Sequence, residues 1–206
     1  MSETKQLKQR GRPPAFNHED ALDKAMRLFW TYGYDGTSIS ALTEALGINK
    51  PSLYGAFGDK EELFRKAVNK YLSDISVFVA NSINEPTSYK VAEEFLTGAA
   101  TFLTDSNHPP GCMLTQSALT CSQQSEVVKG VLSNFREAYE EALHKRFVQA
   151  LSDQDLPTDA DPISLAKLLA TIHQGMSVQA SGGASKEDLL RVVAPVLAAW
   201  PGNMID

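Results

Sequence analysis

The chain has 206 residues, 43% of them hydrophobic, and carries 19 Lys+Arg against 25 Asp+Glu for a formal net charge of −6. That length and apolar content exclude a disordered tail protein, and two cysteines exclude a disulfide framework. No run approaches the roughly 18 to 20 apolar residues needed to cross a bilayer, and a net acidic chain argues at first sight against a general nucleic-acid binder.

Split by position, the charge is polarised. Residues 1–70 hold 11 Lys+Arg and 9 Asp+Glu, whereas residues 71–206 hold 8 and 16. The first twelve residues are polar, lack the apolar stretch of a secretory signal, and set Lys5, Lys8, Arg10 and Arg12 against Glu3 alone. The expected compartment is therefore the cytoplasm, with no membrane partner. A basic arm over 1–14 is either a solvated tail or a phosphate-seeking one.

Apolar positions recur at helical spacing and period-2 alternation is absent, which predicts an all-α fold. A first helix starts at the cap Asn17, shows Leu22, Ala25, Met26 and Phe29 on one stripe, and stops at Tyr32-Gly33-Tyr34. A second follows Thr37 through Ile39, Leu42 and Ala45 to Gly47. Asn49 then caps a third helix with Pro51 in its first turn, ending at Phe57. Asp59 and Glu62 form a capping-box pattern that opens a long fourth helix. Longer helices are expected over 88–104, 113–121, 126–151, 162–180 and 186–200, with loops at 107–111, 152–161 and 181–184.

Two short helices joined by Leu46-Gly47-Ile48-Asn49 have the length and glycine placement of a helix-turn-helix. On the third helix Leu53 and Phe57 fall on one side, leaving Pro51, Ser52 and Gly55 outward with Lys50 and Tyr54 on the flank. A solvent-facing helix normally carries long charged residues. A small, uncharged face instead admits close approach to another surface such as a major groove, although a short helix packed into a bundle would read the same way.

The segment Ala25-x-x-Leu28-Phe29-x-x-x-Gly33-Tyr34-x-Gly36-Thr37-Ser38, followed by Leu46-Gly47-Ile48-Asn49-Lys50-Pro51-Ser52-Leu53-Tyr54-x-x-Phe57-x-Asp59-Lys60-Glu61-Glu62-Leu63, resembles the DNA-binding domain of the TetR family of bacterial transcriptional regulators. The resemblance implies a DNA-binding domain over 15–75, with its helix-turn-helix from Ser38 to Phe57, and a helical sensing and dimerisation domain over 76–206. It further implies a ligand-responsive repressor that binds a palindromic operator as a dimer and is released by a small-molecule effector. By position, Thr37 and Ser38 would meet phosphate, Lys50 and Tyr54 would contact DNA, and Lys60 would neutralise a phosphate. Asn49 and Ser52 are the candidates for base edges, with Pro51 and Ala56 open to thymine methyl contacts. Gly55-Ala56 departs from the larger side chains common in the family, so direct readout is expected to be thin. Arg10-Gly11-Arg12-Pro13, slim and extended, is a candidate for the minor groove, against the plainer reading of phosphate attraction alone.

The last two helices are apolar over most of their circumference, through Leu165, Leu168, Leu169, Ile172 and Met176, then Leu189, Leu190, Val193, Val196 and Leu197. The resemblance implies a homodimer through these helices; burial within one chain is the alternative. Cys112, just after Pro109-Pro110-Gly111, is either a thiol sensor at a helix start or a small core residue. His173 with Met176 either lines a ligand pocket or belongs to the core. No His, Cys or carboxylate spacing suggests a metal, and no cofactor is expected. No nucleophile with a base is apparent. An all-α enzyme or a small-molecule carrier, with the N-terminal domain only packing, is the competing reading.

Overall fold

The computed structural model describes residues 17–122 and 126–202, apart from the side chains of residues 74, 76, 126 and 127. Among the described residues there are nine helices and no strand: α1 His18–Gly36, α2 Ile39–Leu46, α3 Lys50–Phe57, α4 Lys60–Ile83, α5 Ser88–Leu103, α6 Met113–Thr120, α7 Glu126–Ser152, α8 Pro162–Ser181 and α9 Lys186–Ala198. None of them is long and apolar enough to cross a membrane.

Helix starts follow the side chains that can satisfy orphan N–H groups. Asn17, Asn49, Asp59, Thr87, Asp161 and Ser185 each accept backbone N–H bonds at the start of a helix. At α4 only the Asp59 half of the expected capping box forms, its carboxylate accepting the Glu62 N–H at 2.9 Å. The Glu62 carboxylate instead lies over Gly58, where a Cβ would meet it at 1.4 Å.

The end of α1 differs from expectation. Gly33 kinks the helix with φ 71 and ψ 176, but one more turn follows to Gly36. The kink lets α6 come close: a Cβ on Gly33 would lie 2.0 Å from Thr120 Oγ1. At the far end of the chain, α9 stops at Ala198, two residues before the expected Trp200. The Trp200 ring is buried against Phe147 and its Nε1–H points at Ser88 Oγ.

Helices α1 to α3 pack around Phe29, Leu42, Leu53 and Phe64, all fully buried. Helix α4 runs from this unit into the second one, where α5 forms the centre: Val91, Ala92, Leu96, Ala99, Ala100 and Leu103 are fully enclosed by α4, α8 and α9. Helix α6 belongs by sequence to the second unit but packs along α1.

Candidate nucleic-acid interface and effector cavity

The turn between α2 and α3 is fixed by backbone geometry. Gly47, at φ 67, ends α2 while its N–H donates to Glu44 O and the Ile48 N–H donates to Thr43 O, the paired bonds of a Schellman turn. Asn49 Oδ1 then accepts the Ser52 N–H at 2.9 Å and starts α3. Leu53 and Phe57 are buried, so Lys50, Pro51, Ser52, Tyr54 and Gly55 all face outward. Nothing lies within 4 Å of a Cβ placed on Gly55. The result is a short helix whose exposed face is small and accessible at backbone level.

Two residues that the sequence alone did not single out hold this face in place. Lys66 Nζ, from α4, donates to Phe57 O at 2.9 Å and so satisfies a carbonyl at the C-terminus of α3. Tyr34 is locked between Phe29 and Phe64, and its ring lies 4.3 Å from Lys60 Nζ. Lys60 is thus half-buried at the start of α4, and that burial moves its ammonium pKa below the usual lysine value against the pull of Asp35.

Two expected contacts change. Thr37 is buried, not exposed to phosphate: its hydroxyl donates to Gly33 O at 2.7 Å and approaches Leu28 O at 3.2 Å, closing the kinked end of α1. Ser38, not Thr37, caps α2, its Oγ accepting the Ala41 N–H at 3.0 Å. Asn49 is exposed, but its carbonyl oxygen is engaged as the α3 cap, so a two-point pair with adenine competes with that bond. Ala56 is half-buried against the core. Arg10 and Arg12 lie outside the described residues.

In the second unit a cavity of about 600 Å³ opens among α4, α5, α6, α7 and α8, walled by Phe78, Phe95, Phe102 and Phe135 with Ile75, Ile83 and Leu132. Its polar groups are few. Tyr71, fully buried, donates its hydroxyl to Cys112 Sγ at 3.1 Å, and burial, with the thiol beside it, holds the phenol well above its usual pKa. Cys112 sits at the α6 N-cap without capping it, and its own N–H donates to Ser177 Oγ at 2.8 Å. Cys112 is therefore enclosed, as the core reading expects, and it also lines the cavity. His173 also lines the cavity. Met176, one turn on, is buried in the core and is not part of the cavity wall.

The cavity reaches α1 through packed groups. Tyr71 meets Trp30 edge-on at 4.7 Å, Trp30 stacks on His108 at 4.5 Å, and Arg27 Nη1 donates to Asn107 O at 2.7 Å. At the other end of α6, the Ser122 N–H donates to the Asp35 carboxylate.

Helices α8 and α9 present a second exposed surface, apolar and small at its centre with Lys167 and Arg191 beside it. Leu165, Leu169 and Met176 of α8, and Leu189, Val193 and Leu197 of α9, are buried within the chain. Leu168 and Val178 are 44% and 48% exposed, and Thr171, Gly175, Ala194 and Ala198 are exposed with them. Among the described residues no group of three or more His, Cys, Asp or Glu is placed to hold a metal.

Comparison with known proteins agrees with this geometry. The profile described as "Bacterial regulatory proteins, tetR family" matches residues 21–67. The chain is 35% identical over 196 residues to the HTH-type transcriptional repressor ComR of Escherichia coli K12, covering 94% of this chain and 93% of that protein. It is 28% identical over 199 residues to the repressor BdcR of the same organism, covering 94% of each. A cysteine-substituted variant of the TetR family regulator CifR, solved with a 26 bp double-strand operator DNA, superposes with a TM-score of 0.87 at 39% identity, over 93% of this chain and all of that one. With its helix-turn-helix on α2 and α3 and a helical cavity region behind it, the chain belongs to the TetR family of bacterial transcriptional regulators.

Proposed function

We propose that this protein is a cytoplasmic repressor that binds a palindromic operator as a homodimer and is released when its cavity is occupied or Cys112 is modified. The observation that carries the reading is α3: its outward face is exposed, with small uncharged Pro51, Ser52 and Gly55 at its centre and Lys50 and Tyr54 beside them, and both its ends are tied down, by Asn49 at the start and Lys66 at the finish. Ser52 and Tyr54 then meet base edges, Pro51 a thymine methyl, and Asn49 offers its amide N–H₂. Ser38, Lys50 and Lys60 meet phosphates at helix starts. Thr37 keeps a structural role. The arm over residues 1–14 adds Arg10 and Arg12 in the minor groove.

Homodimerisation through α8 and α9 covers the exposed Leu168 and Val178 with the same surface of a second copy, an isologous contact. It sets the separation of the two α3 helices to successive major grooves. The division into 15–75 and 76–206 is one of roles, because residue 75 lies within the continuous α4. Release follows from linkage: a ligand that favours one arrangement of Tyr71, Cys112 and α6 biases α1 through Trp30 and Gly33.

Electrophoretic mobility shifts with DNA from beside the protein's own gene test the reading. A specific, salt-sensitive shift is expected; no preference over unrelated duplex contradicts it. Deleting residues 1–12 is expected to weaken binding more on A/T-flanked than on G/C-flanked operators, and an equal loss contradicts minor-groove reading. Cys112→Ser is expected to bind DNA but resist release by a thiol oxidant.

A further inference from the structure

The cavity is chemically lopsided. Phe78, Phe95, Phe102 and Phe135 stand in a wall that is otherwise mostly aliphatic, and among the described side chains no Asp or Glu lines it. Among the described residues its lining cation is Arg136, an exposed side chain whose guanidinium already donates to Ser133 Oγ at 3.1 Å. Inside, Tyr71 and Cys112 are paired with each other. The remaining polar lining is Thr115, Gln174 and the pair Tyr139 and His173, whose rings meet edge-on at 5.9 Å and of which His173 alone carries a buried polar atom left unanswered. Tyr139 Oη accepts from Gln174 Nε2 at 3.2 Å, which leaves the phenol proton to give. His173 is 8% exposed and its Nδ1 has no partner.

A buried polar atom without a partner is costly, and that cost is removed when a ligand supplies the missing bond. We propose that the cavity takes an uncharged, mostly apolar, ring-bearing molecule with one hydroxyl group, which donates to the His173 imidazole and accepts from the Tyr139 phenol. The proposal rests on the reading of this cavity as the effector site and adds the class of ligand. Four aromatic walls fit a flat or ring-bearing body. An ion is refused because its charge would find no counter-charge in the interior. Burial keeps both partners neutral: the His173 pKa falls to about 4 and the Tyr139 phenol is pushed up to about 12.

Equilibrium dialysis of the full chain against 2-naphthol, naphthalene and 2-naphthoate tests the class. The alcohol is expected to bind about tenfold more tightly than the hydrocarbon, the combined net worth of the two hydrogen bonds after desolvation of the hydroxyl, with the carboxylate weakest. His173→Phe and Tyr139→Phe are each expected to shrink the alcohol's advantage to about twofold while retaining naphthalene, with thermal melting confirming a folded chain. The ranking on the unaltered chain needs neither variant to fold. Tightest binding by naphthoate, equal binding of alcohol and hydrocarbon, an advantage that survives in both variants, or no binding of any probe overturns the proposal. Operator release is scored separately: probes that rank as expected yet leave the operator bound contradict the effector reading and leave the ligand class standing.

Discussion

The helix-turn-helix and the cavity wall handle polar groups in opposite ways, while at the joint between them Trp30 Nε1 is buried without a partner. Around α2 and α3, the backbone groups at the turn and helix ends are answered by Ser38, Asn49, Asp59 and Lys66, and the centre of the exposed face, Pro51, Ser52 and Gly55, has little side-chain freedom. Around the cavity, His173 Nδ1 is enclosed without a partner, and beneath α6 so is Ser117 Oγ. A surface that must match a duplex is held rigid before it binds, which limits the ordering cost on association. A pocket that must respond to a small molecule keeps an unpaired group that only the ligand answers. The two meet along Trp30, Tyr71 and the close approach of Gly33 to Thr120.

Substitutions can break that contrast one side at a time. The largest effect belongs to the joint. Gly33→Ala places a Cβ against Thr120 at a φ that side chains rarely adopt, and about 3 kcal/mol of stability should be lost, as read by denaturant unfolding. Retention of full stability would mean that α6 does not press on α1. Next comes the cavity. The folded His173 has a pKa of about 4 against an ordinary 6.5, so between those values the unfolded chain takes up a proton that the folded chain refuses. Stability is therefore complete above pH 6.5 and falls as pH drops toward 4, by about 3 kcal/mol from this residue. His173→Gln should remove that share of the slope in urea unfolding measured across pH 4 to 7.5.

The smaller effects lie on the DNA side. Lys66→Met removes a charge-assisted bond to Phe57 O, costing about 1 to 2 kcal/mol. Operator affinity should weaken with the salt slope unchanged, because Lys66 positions α3 rather than touching phosphate. Lys50→Ala should do the reverse, lowering the salt slope by about 1. Asn49→Ala loses the α3 cap at about 1 kcal/mol, visible in thermal melting and in operator affinity together.

Local signals made most of this molecule legible. Caps at Asn17, Asn49, Asp59 and Ser185 and the glycine at 47 mark helix boundaries by short-range chemistry, and α3 could be oriented from Leu53 and Phe57 alone. The motif from Ala25 to Leu63 was specific enough to identify the family. What escaped depends on contacts distant in the chain. Thr37 was expected to face phosphate because nothing near it shows that the Gly33 kink brings carbonyls back to its hydroxyl. Gly33 was expected to end a helix because its neighbour Thr120 is 87 residues away. Lys66 and Tyr34 carry roles that exist only once α4 crosses α3 and α1. At His173, sequence offered core and pocket as alternatives, whereas the structure encloses the residue and places it on the cavity wall.

The central claim is that the exposed face of α3 reads the operator, and Ser52→Glu tests it most directly. Ser52 is the third residue of α3, where a carboxylate favours the helix N-terminus, so the folded chain should be as stable as before or slightly more so. On DNA the same carboxylate would face the phosphates. Fluorescence anisotropy with labelled operator should show affinity reduced by about a hundredfold or more, roughly 3 kcal/mol, with thermal melting and cavity-probe binding unchanged. Operator affinity equal to that of the unaltered chain would place the DNA-reading surface elsewhere.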